Sequence, residues 1–203
     1  MKPNVRSMDL FITSGFIKGR AYGGWLNTLI ENAPCEWVVI HDHDIFWSNP
    51  RWYEIIVENI KNAPNAGLLT CVTNRVGNAQ QIVSKVDRKS NDLFYHWEIA
   101  REVENRESPT IAKRLISGLV MVTSKTVHKE VGGFKVDGGI LGRDTVYHGK
   151  VKAAGFEVYI MNNLYVYHKY RNWQPLVGNK SIAAWAKDPR NPDRQPTEGE
   201  KVG

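Results

Sequence analysis

Cysteine is scarce in this chain: Cys35 and Cys71 are the only two among 203 residues. That is too few for a disulfide framework, and neither has the spacing or neighbours of a zinc or redox motif. Both are expected to serve as small buried hydrophobes. Long apolar runs are missing too. No stretch approaches the roughly 18 residues that read as a membrane span. The start MKPNVRSMDLF lacks the apolar core of a signal peptide, so a cytoplasmic protein is expected. Neither G-x-G-x-x-G nor G-x-x-x-x-G-K-S/T occurs, which removes two familiar phosphate-cradling loops. No internal repeat is visible.

What is present is ordinary globular material, 42% hydrophobic and 24% charged. The length suits one domain with a real core, expected over residues 1–186. Residues 187–203 hold three prolines and almost nothing apolar, the composition of a flexible tail. A net charge of +6 favours polyanionic partners such as nucleotide diphosphates, nucleic acid or anionic lipid surfaces. No nucleic-acid motif accompanies it.

Along the chain, residues 8–13 read as a short buried strand and 19–32 as a glycine-rich loop feeding a helix, with Trp25, Leu26, Leu29 and Ile30 at helical spacing. Residues 37–40 form a four-residue apolar run that ends abruptly in His41, Asp42, His43 and Asp44. Ser48-Asn49-Pro50 is a helix-start signal ahead of Trp52, Ile55, Ile56 and Ile60. Further strands are expected at 67–73, 116–123, 156–161 and 165–168, further helices at 91–105, 124–131 and 144–154, and a polar exposed loop at 74–90. Strands alternating with helices imply an α/β sandwich around a largely parallel sheet. Ligands of such sheets lie beyond the carboxyl ends of the strands, where the His41–Asp44 cluster falls.

Asp42 and Asp44 project to one side if extended geometry continues through them. Like charges so close repel unless a cation lies among them. A hard divalent ion, Mg2+ or Mn2+, held by carboxylates and substrate phosphate oxygens meets that need. A strand-end turn with solvated acids is the other reading. His41 and His43 keep a metal-dependent phosphohydrolase open as well, since imidazole and carboxylate together bind zinc, iron or manganese. His96, His128 and His148 read as surface or core histidines; His168 is the exception.

From Ser117 the chain reads SGLVMVTSKTVHKEVGGFKVDGGILGRDTVYHGKVKAAGFEVYIMNNLYVYHKY. A small-residue strand leads to a helix, then Gly-Gly-Phe, an acidic position opening a helix, a basic residue, Ala-Gly, a strand and a terminal histidine. This order resembles the second half of the family 2 inverting glycosyltransferases. GGWLNTLIENAPCEWVVIHDHDIFW resembles the same family's asparagine helix and D-x-D strand, so the likeness covers residues 19–47 and 115–170.

The resemblance implies a GT-A type three-layer sandwich with a mostly parallel central sheet. It implies Asp144 as catalytic base, Asp44, Asp42 and His168 as metal-associated residues, and Asp42 and Asn27 on the nucleotide side. It adds Thr13 near the base or ribose and Arg20 near the diphosphate. The implied partners are a nucleotide-diphosphate sugar, UDP- or GDP-linked, and a hydroxyl acceptor, a glycan or glycoconjugate, with Mn2+ or Mg2+ as cofactor. No membrane span is implied, although peripheral contact is compatible.

Two departures stand out. Arg143 replaces the family's usual acid before Asp144, and only residues 1–41 precede the D-x-D, about half the usual front. The shortened form resembles minimal, virus-encoded transferases. A degenerate nucleotide- or glycan-binding module without catalysis, and the phosphohydrolase built on His41–Asp44, are the alternatives.

Overall fold

The computed structural model of the protein describes residues 10–14, 22–136 and 142–169. Arg20, the boundary expected at 186 and the tail at 187–203 lie outside them. Among the described residues the strands are β1 (Leu10–Ser14), β2 (Trp37–His41), β3 (Ile45–Trp47), β4 (Ala66–Thr73), β5 (Thr110–Ile111), β6 (Val120–Ser124) and β7 (Glu157–His168). The helices are α1 (Tyr22–Glu31), α2 (Trp52–Asn62), α3 (Leu93–Val103), α4 (Lys125–Glu130) and α5 (Arg143–Ala153).

One sheet takes the order β1-β2-β6-β4-β7-β3, with β5 also pairing β7. β1 runs parallel to β2, and β4 parallel to β7. β6 lies antiparallel between β2 and β4, while β3 and β5 are antiparallel to β7. The four strands β1, β2, β4 and β7 thus share one direction, as the alternating pattern implied, and their carboxyl ends meet at one edge of the sheet. β6 enters the sheet from that same edge.

The period of two along each strand sorts the core into layers. Val39, Leu69, Cys71, Val120, Val122, Tyr159 and Met161 pack with Ile55, Ile56 and Ile60 of α2. The alternate residues Val38, Ile40, Leu68, Met121 and Val158 pack with Leu26 and Ile30 of α1, Val127 of α4 and Tyr147 and Val151 of α5. Further along that second face, Val72, Ile160, Tyr165 and Tyr167 pack with Ile99, Ala100 and Val103 of α3. Helices therefore cover both faces. Strands buried on both sides read as continuous apolar runs rather than alternating ones, which is the pattern of Val38-Val39-Ile40.

Several local expectations change. The strand expected from 116 begins at Val120, because Ile116–Leu119 are committed to contacts at the sheet edge. The two strands expected at 156–161 and 165–168 are one strand, β7, with its register against β4 shifting between Cys71/Met161 and Val72/Tyr165. Asn162 and Asn163, in that irregular stretch, bond sideways to Thr110 and Asn59. α2 begins at Trp52 rather than at Pro50, although Asn49 does brace the turn by accepting from the Arg51 N–H at 2.8 Å. Cys71 is fully buried as expected, whereas Cys35 is only half-buried.

The largest correction concerns residues 74–90. This polar stretch is only in part an exposed loop: Ser84, Lys85 and residues 87–89 are exposed, but Asn74, Arg75, Gln81, Val83 and Val86 are buried. Gln81 and its neighbours form a short 3-10 turn, Ala79–Gln81, and Ile82 bridges Thr73 at the end of β4. Buried amide groups find protein partners instead of water, so a polar composition is compatible with burial.

Candidate functional site

β2 stops at His41, and the chain turns through Asp42–Asp44 before β3 pairs back against the end of β7. The two acids therefore converge through a turn, not through continued strand alternation. Ile45 lies opposite His168, and the Lys169 N–H donates to the Asp44 carbonyl at 2.9 Å. This pairing sets the Asp44 carboxylate beside the imidazole: His168 Nε2 is 3.2 Å from Asp44 Oδ1 and 3.7 Å from Asp42 Oδ2. Ligating atoms of Asp42, Asp44 and His168 all lie within 4.8 Å of one another.

The orientation of His168 follows from its surroundings. The ring is buried, 2% exposed. Its Nδ1 is 2.8 Å from the Arg75 carbonyl oxygen, and a carbonyl only accepts, so Nδ1 carries the proton. Its main-chain N–H donates to Asn74 Oδ1 at 2.8 Å. In the neutral ring Nε2 is then a bare lone pair facing two carboxylates. Either a proton on Nε2 or a cation among the three groups resolves that conflict. Two carboxylates and an imidazole oriented by a backbone carbonyl are a fitting donor set for a divalent ion such as Mn2+.

The two acids differ in their electrostatics. Burial pushes the Asp42 carboxyl up to about 6; His168 opposes this, and the charges of Asp44 and Asp144 add to it. Burial would raise Asp44 also, but the hydrogen bond and charge of His168, with His43 assisting, hold it below the ordinary carboxylate range.

Asp144 belongs to the same site. It lies in the first turn of α5, where Thr145 N–H donates to its Oδ1 at 2.9 Å and Gly118 N–H to its Oδ2 at 2.8 Å. The next residue, Leu119, accepts the Asp42 N–H at 2.9 Å. Two adjacent residues at the entry to β6 thus tie Asp144 to Asp42. Gly118 has no space for a side chain, since a Cβ would lie 2.7 Å from the Asp144 Cβ.

The remaining expected residues divide. Thr13 stands at the carboxyl end of β1 beside Ile40, two positions before Asp42. Asn27 is a brace: its Nδ2 donates to the Phe134 carbonyl at 3.0 Å and its Oδ1 accepts the Phe134 N–H at 2.8 Å. Both ends of the amide thus fix α1 to the turn at Gly132–Phe134. Arg143 does not flank the carboxylate as a free cation. It is buried, 6% exposed, and donates to the Lys135 carbonyl. The groove between α1 and α4, lined by Asn27, Glu31, His128, Lys129 and Gly133, contains none of Asp42, Asp44 and Asp144.

His41 and His43 do not join the metal-ligating group among the described residues; His41 Nδ1 lies 2.8 Å from the Asp42 carbonyl. His96, His128 and His148 are core histidines. His96 bonds Tyr165 at 2.7 Å, and burial lowers His128 to about 4, with Lys150 adding to the effect.

Sequence reasoning missed Asn74, Arg75, Gln81 and Gly118. Arg75 acts here through its backbone carbonyl, which carries no residue-type signal. Gln81 is fully buried; its Oε1 accepts the Ser117 N–H at 2.7 Å, and its Nε2 donates to the Ser117 carbonyl at 3.1 Å and to Thr70 Oγ1 at 2.9 Å. It thereby fixes the residue before Gly118. No family model matches the chain, and no curated protein matches it.

Proposed function

We propose that this protein is a metal-dependent, inverting glycosyltransferase of the GT-A type. It moves a sugar from a nucleoside-diphosphate donor to a hydroxyl acceptor, a glycan or glycoconjugate. The observation that carries the reading is that Asp144 shares one site with Asp42, Asp44 and His168, through the adjacent bonds of Gly118 and Leu119. The site lies at the carboxyl ends of β2, β4 and β7, where ligands of α/β sheets bind.

Asp42, Asp44 and His168 would hold Mn2+ or Mg2+, which supplies charge neutralisation for a departing diphosphate, an effect on the order of several kcal/mol. Asp144 is the base. Its carboxylate, oriented by two backbone N–H groups, takes the proton of the acceptor hydroxyl. The hydroxyl oxygen forms its bond to the anomeric carbon as the bond from that carbon to the diphosphate breaks. Attack from the face opposite the leaving group inverts the anomeric centre.

Asp144→Asn keeps the shape and one of the two backbone bonds, since its amide nitrogen cannot accept an N–H, and it cannot take the acceptor's proton. Turnover of donor and acceptor is expected to fall by about 10²- to 10⁴-fold, the typical worth of a general base. Manganese affinity, measured by calorimetric titration, should stay at the wild-type value. Wild-type turnover in this variant would remove Asp144 from the chemistry.

A further inference from the structure

His128 lies on α4 and is 3% exposed, and a chain of hydrogen bonds fixes its tautomer. Thr123 Oγ1 donates its one proton to the Gly67 carbonyl at 2.8 Å. In the 3.1 Å contact between Thr123 and Tyr147 the tyrosine is therefore the donor. With its proton spent there, the Tyr147 oxygen accepts from His128 Nδ1, 3.2 Å away. Nε2 is left as a bare lone pair. Burial, helped by the Lys150 charge, pushes the ring down to about 4, so the lone pair persists at neutral pH. The atom is buried, and among the described residues nothing donates to it.

A buried acceptor without a donor costs free energy. This one belongs to a residue lining the groove between α1 and α4, which has a volume of about 620 Å³. Gly133 lines the same groove and lies against Nε2: a Cβ on it would stand 3.1 Å from His128 Nε2 and 2.8 Å from Asn27 Oδ1. Two acceptor atoms thus converge on one bare α-carbon. Asn27 Oδ1 spends one lone pair on the Phe134 N–H, and a carbonyl oxygen has two. The walls carry charge of both signs, Glu31 on α1 and Lys125 and Lys129 on α4.

This lining discriminates among ligands. A phosphate dianion or a carboxylate gains from Lys125 and Lys129, yet it has no proton for Nε2 or Asn27 Oδ1 and is repelled by Glu31. An ammonium suits the acceptors, but three lysines oppose it, since Lys150 Nζ also reaches the Gly132 and Gly133 carbonyls. A hydroxyl donates and accepts without charge. Several of them on one ring can donate to Nε2 and Asn27 Oδ1 and accept from Lys129. The volume lies within the usual range of small-molecule sites. We propose that this groove binds a neutral saccharide, one of whose hydroxyls donates to His128 Nε2. It contains neither Asp144 nor the metal-ligating group, so it is a second site, distinct from the one at the strand ends.

Nuclear magnetic resonance of the isotope-labelled full chain, titrated with the methyl glycosides of glucose, galactose, mannose and N-acetylglucosamine, tests it. At least one glycoside is expected to shift the Gly132 and Gly133 amides and the His128 ring nitrogens, while the Asp42 and Asp44 amides stay in place. His128→Phe keeps the bulk of the ring and removes the lone pair. Affinity for that glycoside is expected to fall by roughly three- to tenfold, the worth of one hydrogen bond. The ring-nitrogen shift is read in the wild type, so the test stands even if His128→Phe fails to fold. A panel in which no glycoside moves the Gly132 and Gly133 amides overturns the proposal. So does binding that leaves the His128 ring nitrogens unmoved, or equal affinity in folded His128→Phe. Shifts produced there only by inorganic phosphate or by methylammonium overturn it as well.

Discussion

Asp42 and Asp44 are separated by one residue yet sit in opposite electrostatic situations. Asp44 is held ionised by His168, while burial keeps the proton on Asp42 up to about 6. The folded Asp42 value thus lies above its unfolded value of 3.8. In the cation-free protein its contribution to stability is complete below the unfolded value and is lost as pH rises through about 6. A cation binds the ionised form, so its own affinity moves the other way. Manganese affinity is expected to rise between pH 5 and 7, with a proton released on binding at the lower pH. Titrations in buffers of different ionisation enthalpy read both quantities, and an affinity that is flat across this range contradicts the assignment of Asp42 as a ligand. The convergence of Asp42, Asp44 and His168 was legible in the sequence because carboxylates and an imidazole are the residue types that could hold a metal ion. The brace that Asn27 makes with Phe134 was not legible, because an amide that suits a ligand suits backbone N–H and C=O groups equally well.

At the level of elements, the informative stretch is the one that reads as featureless. Residues 74–90 have neither helical nor strand periodicity, yet Asn74 and Arg75 orient His168 and Gln81 fixes Ser117. Nothing in residue type marks a carbonyl that meets a histidine ring, so this support had no visible signal. The sequence from Ile116 reads as uninterrupted strand for a related reason: Gly118 and Leu119 suit a strand in composition, and only the contacts with Asp144 and Asp42 show why β6 starts later. Gln81→Leu removes both partners of the Ser117 backbone inside the core. It is expected to cost roughly 1–3 kcal/mol in urea unfolding, the penalty for leaving buried groups unpaired. Turnover should also fall, because Ser117 leads directly into the residue that orients Asp144. Unchanged stability would mean that Ser117 finds other partners and that Gln81 does not hold the segment.

Across the whole molecule, alternation of strands and helices was enough to place the acids correctly. Four strands share a direction, helices cover both faces, and Asp42, Arg75 and His168 come from three separate carboxyl ends at one edge. The short β3 and the reversed β6 were not legible. β3 has three residues, too few for periodicity, and strand direction is a property of the connections rather than of composition. Among the described residues no helix is long and apolar enough to cross a membrane. The account's central claim is that this edge transfers sugar from a nucleoside diphosphate with help from a divalent ion. It is tested most directly by release of nucleoside diphosphate from a panel of UDP- and GDP-sugars, with hydroxyl acceptors present, in Mn2+ and in EDTA. Release from at least one donor in Mn2+, abolished by EDTA, is the predicted result. Release that EDTA leaves intact, binding of donors without release, or hydrolysis of phosphate monoesters in place of transfer would contradict it.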